Sequence, residues 1–170
     1  RWSPDGAFLA ALGRDRDFGA NPAVFVVPAA GGTLQQLTPF VEDKNGLEWH
    51  PNGDRLTYHV RGSQGHTQQA FLDGRPPSTL FDAPDIWDGT GAWAPDGHRF
   101  FFIGDGTLYA YDETSGESVL VEDPDFTVKN PPRWSRDGKT MVWLRSKVSG
   151  TQSWMMEHAL PTTATQFSMP

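Results

Sequence analysis

The stretch RWSPDGAFLAAL (residues 1–12) decides the fold, because the chain repeats it three more times in altered form. The later copies are LEWHPNGDRLTYHV (47–60), GAWAPDGHRFFFIG (91–104) and PRWSRDGKTMVWLR (132–145). In every copy a glycine follows a tryptophan by four residues, and the tryptophans recur at intervals of 47, 44 and 41 residues. That period is close to the roughly 40–45 residues of one four-stranded blade of a β-propeller.

Each copy contains the chemistry of a tight turn. In the first copy Pro4 presets the backbone angle φ, Asp5 suits the next turn position, and Gly6 accepts the left-handed conformation that follows. This order is typical of a three-residue hairpin with a bulge at its glycine. The turns at 50–53 and 94–97 repeat the pattern, and the turn at 135–138 keeps its Asp-Gly. The repeated phrase is therefore predicted to be a hairpin rather than a functional site.

An apolar strand follows every turn. The positions three and five residues past the turn glycine are apolar or aromatic in all four copies: Leu9 and Ala11, Leu56 and Tyr58, Phe100 and Phe102, Met141 and Trp143. The alternate positions are also mostly apolar, so neighbouring blades are predicted to cover both faces of this strand. Third strands are predicted at 23–28, 68–73, 107–112 and 153–158, and fourth strands at 33–38, 78–82, 118–122 and 163–169.

The sequence therefore predicts an all-β fold, a β-propeller of four blades that are each a four-stranded antiparallel sheet. The 170 residues are predicted to form a single propeller region, with blades at approximately 1–39, 40–83, 84–124 and 125–170. No stretch of a dozen residues free of Pro and Gly has helical periodicity. A β-sandwich would also have many short strands, but it would not predict four units with one tryptophan-to-glycine offset.

The composition limits the classes of partner. The chain carries 21 acidic and 14 basic side chains, a net charge of −7, and it has no basic run, which argues against a nucleic-acid partner. It has no cysteine, which excludes disulfides and thiolate chemistry. No apolar stretch approaches the roughly 18 residues of a membrane span.

The motifs of the first unit resemble a known family. WSPDG (2–6) with its apolar strand, VFVVPAAGG (24–32) and LQQLTP (34–39) resemble the WD-like propeller repeat of TolB-like proteins. The same repeat occurs in tricorn-type proteases and in the prolyl oligopeptidase family, and the long loop at 13–19 is similar to that of acylaminoacyl-peptidase-like members. The resemblance covers essentially the whole chain, and it is specific for the fold rather than for function.

The resemblance implies two functions. In the prolyl oligopeptidase family the propeller is the non-catalytic part of a serine peptidase, gates or binds the peptide substrate and docks an α/β-hydrolase domain. This chain has no Gly-x-Ser-x-Gly nucleophile elbow, so we expect that the chain itself is not an enzyme. The alternative is a stand-alone TolB-like scaffold that binds another protein. The first function implies a cytoplasmic location and the second a periplasmic one.

The number of units adds an expectation about assembly. Propellers of this family usually have six to eight blades, whereas this sequence has four units and opens two residues before its first turn. A closed ring of four blades is one alternative, since four-bladed propellers exist, but we expect an arc of a larger propeller. An arc exposes apolar blade faces at both ends, which predicts self-association. Two such arcs would complete an eight-bladed ring.

Candidate binding residues lie in the longer loops, at the end of the blades opposite the short turns, because function usually resides on such loops. The first loop alternates charges through Arg14, Asp15, Arg16 and Asp17. It is either a solvated loop with local ion pairs or a contact with a hydrolase domain or a peptide.

The second and third units add three further candidates. Arg61 and His66 lie in the loop RGSQGH, where an arginine could hold a carboxylate through two hydrogen bonds. Trp87 is predicted to lie in a loop, where it either contacts a partner or anchors the loop. For each of these residues a purely structural role is the alternative.

Neither a cofactor nor a metal ion is predicted. Asp82, Asp85 and Asp88 recur at every third residue, unlike the alternating ligands of a calcium loop. The five histidines show no paired spacing such as His-x-x-x-His. The repeat tryptophans are predicted to pack in the core or between blades: Trp2, Trp49, Trp93 and Trp134.

Overall fold

The computed structural model describes residues 1–15, 17, 21–62, 65–83, 86–121, 127–135, 137–147 and 150–157. Every regular element among these residues is a β-strand. The strands of the first sheet are, in order, β1 (Phe8–Gly13), β2 (Ala23–Pro28) and β3 (Gln35–Gln36). An isolated antiparallel bridge joins Trp2 to Leu9 beside β1.

Two four-stranded sheets follow the first. The second sheet contains β4 (Lys44–Trp49), β5 (Arg55–Val60), β6 (His66–Phe71) and β7 (Ser78–Asp82). The third sheet contains β8 (Ile86–Trp93), β9 (Arg99–Gly104), β10 (Thr107–Asp112) and β11 (Glu117–Leu120). The fourth sheet contains β12 (Thr127–Trp134), β13 (Thr140–Lys147) and β14 (Gly150–Glu157). The strand predicted at 163–169 lies outside the described residues.

The order of the strands confirms the predicted antiparallel meanders. The predicted third strand at 107–112 coincides with β10, and the predicted fourth strand at 78–82 coincides with β7. β3 is shorter than predicted, because the hydroxyl of Thr38 rather than a backbone carbonyl accepts the Val24 N–H, at 2.8 Å. A side chain there takes the place of the next backbone bond of the ladder.

The four hairpin turns have the predicted backbone conformation. Their glycines have φ between 71° and 74°: Gly6, Gly53, Gly97 and Gly138. In the first turn the Asp5 carboxylate accepts hydrogen bonds from the Ser3 hydroxyl and the Ala7 N–H, which lower its pKa. The second turn has His50 in place of Ser3. Its Nδ1 accepts from the Asn52 N–H, so its Nε2–H donates to the Gly97 carbonyl of the next hairpin, at 3.0 Å.

The core consists of three apolar clusters, each formed where two consecutive sheets pack face to face. The first joins Ala10 and Val24 to Leu56 and Tyr58. The second contains Phe81, Trp93, Phe100, Phe102 and Tyr111, and the third contains Phe101, Ile103, Val128, Met141 and Trp143. Side chains three and five residues past the turn glycine therefore face the preceding sheet, and the alternate side chains face the following one. The prediction that both faces of this strand are covered is confirmed for the two middle sheets.

Three of the four repeat tryptophans also pack in these clusters between sheets: Trp49, Trp93 and Trp134. Trp49 and Trp93 are 6% and 5% exposed, and Trp134 packs edge-on against Phe101 with ring centroids 5.7 Å apart. The prediction is wrong for Trp2, which is 62% exposed. Its face of the first sheet is the one that, in the other units, packs on a preceding sheet, and the described chain has no sheet there.

The first strands of neighbouring sheets lie side by side, since β4 contacts β8 and β8 contacts β12. The pairing of each of these strands with the next contains a register shift, whereas β5–β6, β9–β10 and β13–β14 pair without one. In β4 the shift falls between Asn45 and Glu48, around Gly46, whose φ is 63°. Bulges of this kind redirect side chains near functional sites.

Candidate functional site

Two of the predicted binding residues, Arg14 and Arg61, come together at the loop end of the first two sheets. Arg14 follows β1, and Arg61 follows β5. The ladder between β4 and β5 pairs Lys44 with Val60, and the Arg61 N–H then donates to the Asp43 carbonyl at 2.9 Å. The antiparallel register therefore places Asp43 beside Arg61, although 18 residues separate them in the sequence.

The two arginines contact opposite oxygens of one carboxylate. Arg14 Nη2 lies 4.0 Å from Asp43 Oδ1, and Arg61 Nη1 lies 3.7 Å from Asp43 Oδ2. The side chains of Arg14, Arg61 and Asp43 are 60%, 63% and 41% exposed. Exposed pairs at these distances contribute little to stability. Arg14, Asp43 and Arg61 thus form a set of solvent-exposed charges, hereafter called the arginine cluster.

A buried lysine holds the backbone that carries Asp43. Lys44 is 3% exposed, and its ammonium group donates to the carbonyls of Pro39 and Glu42, both at 3.0 Å. Burial lowers its pKa, and the nearby Glu42 and Asp43 carboxylates oppose that shift. Lys44 therefore ties the connection between β3 and β4 to the core and positions Asp43 between the two arginines.

The other residues of the first loop differ in what they do. Asp15 Oδ1 accepts a hydrogen bond from the Asp17 N–H at 2.8 Å, so Asp15 shapes the loop. Arg16 lies outside the described residues. Sequence reasoning missed Asp43 and Lys44, although counting residues outward from the turn at 50–53 brings Asp43 close to Arg61.

The prediction that His66 lies in a loop is wrong, because it is the first residue of β6 and pairs with Val60. A line of hydrogen bonds runs from it into the core. Gln68 Nε2 donates to His66 Nε2 at 2.7 Å, and the Tyr58 hydroxyl donates to Gln68 Oε1 at 2.5 Å. Tyr58 is 1% exposed, and burial, reinforced by the Glu42 carboxylate, raises its pKa well above the ordinary value. Tyr58 is therefore a neutral donor, and it orients Gln68 and through it His66.

A row of buried polar atoms crosses the second sheet on the face opposite to Tyr58 and Gln68. Asn45, His59 and Thr67 are direct neighbours across β4, β5 and β6. Asn45 Oδ1, His59 Nδ1 and Thr67 Oγ1 are buried and have no hydrogen-bond partner among the described residues. Burial, with a smaller effect of His66 and Arg61, lowers the pKa of His59 from 6.5 to about 4. Buried polar atoms of this kind are usually satisfied by ordered water.

Trp87 was predicted to lie in a loop, and this prediction is wrong. Its backbone belongs to β8 (Ile86–Trp93), and its side chain lies outside what the structure describes. The sequence Asp-Gly-Thr-Gly at 88–91 indicates a loop, but the strand absorbs it through the register shift between Ile86 and Gly91.

The first strand of the second sheet also carries a single carboxylate, Glu48. Its Oε2 lies 3.3 Å from Arg1 Nη2. Burial raises its pKa, and the charges of Arg1 and Arg133 oppose the shift. In the described part of the chain, no three His, Asp or Glu side chains come together closely enough to hold a metal ion. No helix long and apolar enough to cross a membrane occurs among the described residues.

Solved structures share this architecture. The chain superposes on TolB from Acinetobacter baumannii with a TM-score of 0.75 and 18% identity, over 92% of this chain and 40% of that one. A protein assigned as TolB from Agrobacterium tumefaciens gives a TM-score of 0.71 and 19% identity, over 92% and 59%. An oligogalacturonate lyase in complex with manganese gives 0.69 and 17%, over 92% and 46%.

The fold is therefore a TolB-like β-propeller, as the sequence motifs predicted. At 17–19% identity the likeness concerns the fold alone. The chain spans between 40% and 59% of the length of these three proteins. No protein-family model and no curated protein matches the sequence.

Proposed function

We propose that this chain is a non-catalytic, protein-binding part of a β-propeller, and that its loop end binds a carboxylate-bearing peptide segment through Arg14 and Arg61. The observation that carries the proposal is the arginine cluster, in which two exposed guanidinium groups flank one carboxylate. Guanidinium groups bind carboxylates through paired, charge-assisted hydrogen bonds.

The geometry favours replacement of the Asp43 carboxylate by a carboxylate of the bound peptide. Both arginine–Asp43 distances exceed the 2.7–2.9 Å typical of such bonds. An incoming carboxylate can approach both guanidinium groups from solvent and form shorter contacts than Asp43 does. Lys44 and the β4–β5 ladder hold the backbone at Asp43 and Arg61, so this part of the site stays in place when a ligand replaces the Asp43 carboxylate.

The negative net charge argues against nonspecific attraction of an acidic peptide. The whole chain carries a charge of −7, so acidic peptides are not attracted to its surface in general. Any affinity for an acidic peptide must come from a specific positive site, and its contribution falls as salt rises.

Two settings are compatible with this site. In the first, the chain is the propeller of a prolyl oligopeptidase-family serine peptidase, and the loop end gates peptide substrate and docks the hydrolase domain. In the second, it is part of a stand-alone TolB-like scaffold, and the carboxylate belongs to a partner protein. The chain itself performs no hydrolysis in either case, and turnover of an acyl-peptide substrate by the purified chain would contradict this.

The test is a binding titration with a rhodamine-labelled hexaglutamate peptide, followed by fluorescence anisotropy, with hexaglutamine as the neutral probe. We expect Arg61→Gln and Arg14→Gln each to weaken hexaglutamate binding by about tenfold, since charged hydrogen bonds are worth more than neutral ones. Asp43→Asn is expected to strengthen binding, because it removes the competing carboxylate. Hexaglutamine should bind weakly to every variant.

The matched control is Arg75→Gln at the turn end. Arg75 is 56% exposed, lies 3.3 Å from its own carboxylate partner, Asp73, and stacks on the Phe71 ring, so the substitution removes the same charge from the other end of the sheets. Equal weakening by Arg75→Gln and Arg61→Gln would show that only net charge matters, which would overturn the proposed site. Weakening of binding by Asp43→Asn would overturn the exchange of carboxylates.

A further inference from the structure

The contacts between consecutive sheets repeat one pairing of side chains. The tryptophan of each hairpin packs on the residue four positions past the turn glycine of the preceding hairpin. Trp93 Nε1–H donates to Thr57 Oγ1 at 2.9 Å, and the Trp134 ring lies edge-on to Phe101. Trp49 belongs to the same cluster as the corresponding residue of the first hairpin, which is Ala10.

In the described chain, two residues at positions of this pairing are exposed instead of paired with each other's equivalent. Trp2 is 62% exposed, whereas Trp49 and Trp93 are at most 6% exposed. At the other end, Val142 is 41% exposed, whereas its equivalents Ala10, Thr57 and Phe101 are at most 4% exposed. Among the described residues, Trp2 therefore lacks the partner that the other repeat tryptophans have, and no tryptophan covers Val142.

We propose that a second copy of this chain supplies the missing halves, with Trp2 of one copy packing on Val142 of the other. The same chain carries both halves, so a second copy is a partner that necessarily presents the matching surface. An apolar side chain is a suitable partner, because Trp134 already packs on Phe101 in the same pairing. The residues around Trp2 on this face, Leu9 and Ala11, are apolar as well.

The proposed contact joins unlike surfaces, head to tail. A contact of this type either closes into a ring or continues as a filament. Two copies together have eight units, which is the upper end of the four to eight blades of known propellers. We therefore expect a closed pair that contains two identical Trp2–Val142 contacts.

Sedimentation velocity over a concentration series of the purified chain tests the proposal. The unsubstituted chain should sediment as a dimer. Trp2→Lys and Val142→Lys should each weaken dimerisation by at least about tenfold, because each replaces a central apolar residue in both contacts. Val119→Lys is the control, since Val119 is also an exposed valine (58%) but lies on β11, away from both faces. Circular dichroism establishes that each variant is folded.

Mixing the two variants gives the sharper result. A Trp2→Lys copy and a Val142→Lys copy together form one intact contact and one doubly substituted contact. The mixture should therefore dimerise more strongly than either variant alone, which a contact between like surfaces does not predict. A parent chain that stays monomeric throughout the series, growth into larger polymers, or dimers that both lysine variants leave unchanged would each overturn the proposal.

Discussion

The two ends of the sheets hold the same kinds of charged residue in opposite ways. At the turn end Arg55 is 13% exposed and donates to both oxygens of Glu113, at 2.9 and 2.8 Å, across two consecutive sheets. At the loop end Arg61 is 63% exposed and lies 3.7 Å from Asp43. Burial and donor geometry, rather than residue type, therefore distinguish a structural arginine from one that is exposed to a partner.

The surroundings of Arg55 support this distinction. Its guanidinium lies 5.9 Å from the centre of the Trp93 ring, and Gln69 also donates to Glu113. His50 lies 3.9 Å from Glu113, but burial lowers its pKa, and the hydrogen bonds of its two ring nitrogens are those of the neutral form. The turn end is therefore a partly buried network of charges and hydrogen bonds that joins the second sheet to the third.

The largest expected effect comes from Arg55. Arg55→Ala leaves Glu113 partly buried without its cation and removes packing against Trp93, so it should lower the free energy of unfolding by about 3 kcal/mol. Arg61→Ala removes an exposed pair and should lower it by less than about 0.5 kcal/mol. Urea denaturation of both variants measures the difference. Similar losses for both would contradict the comparison.

A second effect concerns the histidine buried beneath the loop end. The pKa of His59 falls from 6.5 to about 4 on folding, so the unfolded chain binds the proton first as the pH is lowered. Its contribution to stability is therefore lost between pH 6.5 and 4, and amounts to about 2 kcal/mol at pH 5 relative to pH 8.

His59→Gln should reduce the pH dependence of the unfolding free energy by that amount. Urea denaturation at pH 5 and pH 8 measures it, and His98→Gln, which replaces an exposed histidine at the turn end, is the control. An unchanged slope between pH 5 and pH 8 in His59→Gln would show that His59 does not stay neutral in the folded chain.

The smallest expected effect is the difference between alanine substitutions in two turns whose glycines have the same φ. Gly6 and Gly97 both have φ of 74°, but a Cβ on Gly97 would lie 2.9 Å from His50 Cε1, whereas a Cβ on Gly6 meets nothing within 4 Å. Gly6→Ala should cost about 1 kcal/mol for the left-handed conformation alone. Gly97→Ala should cost about 1 kcal/mol more, because His50 must move. Thermal unfolding of the two variants compares them, and equal costs would mean that His50 yields freely.

Much of the fold follows from local patterns that the sequence shows directly. The four left-handed glycines, the hairpins around them and the strands buried on both faces were all predicted, because Pro-Asp-Gly and a period of two act over a few residues. The exposure of Trp2 was not predicted, since it depends on whether a sheet lies against that face. Trp87 was misplaced because a bulge allows a glycine-rich segment to remain in a strand.

The site was predicted only in part. Arg14, Arg61 and His66 stand out in the sequence as polar residues in or beside long loops, but nothing nearby in the sequence indicates Asp43. Counting from the turn at 50–53 places Asp43 near Arg61 only approximately, because the shift at Gly46 changes the register between β4 and β5.

The repeating hairpin, the all-β class and the propeller can be inferred from the sequence alone, since they rest on backbone preferences and side-chain alternation within each unit. Which charges come together depends on the packing of the sheets. Arg14, Asp43 and Arg61 come from three separate segments, and their distances depend on the packing of the first sheet on the second and on one bulge. Such contacts are set by the positions of whole sheets, and no local pattern in the chain records them.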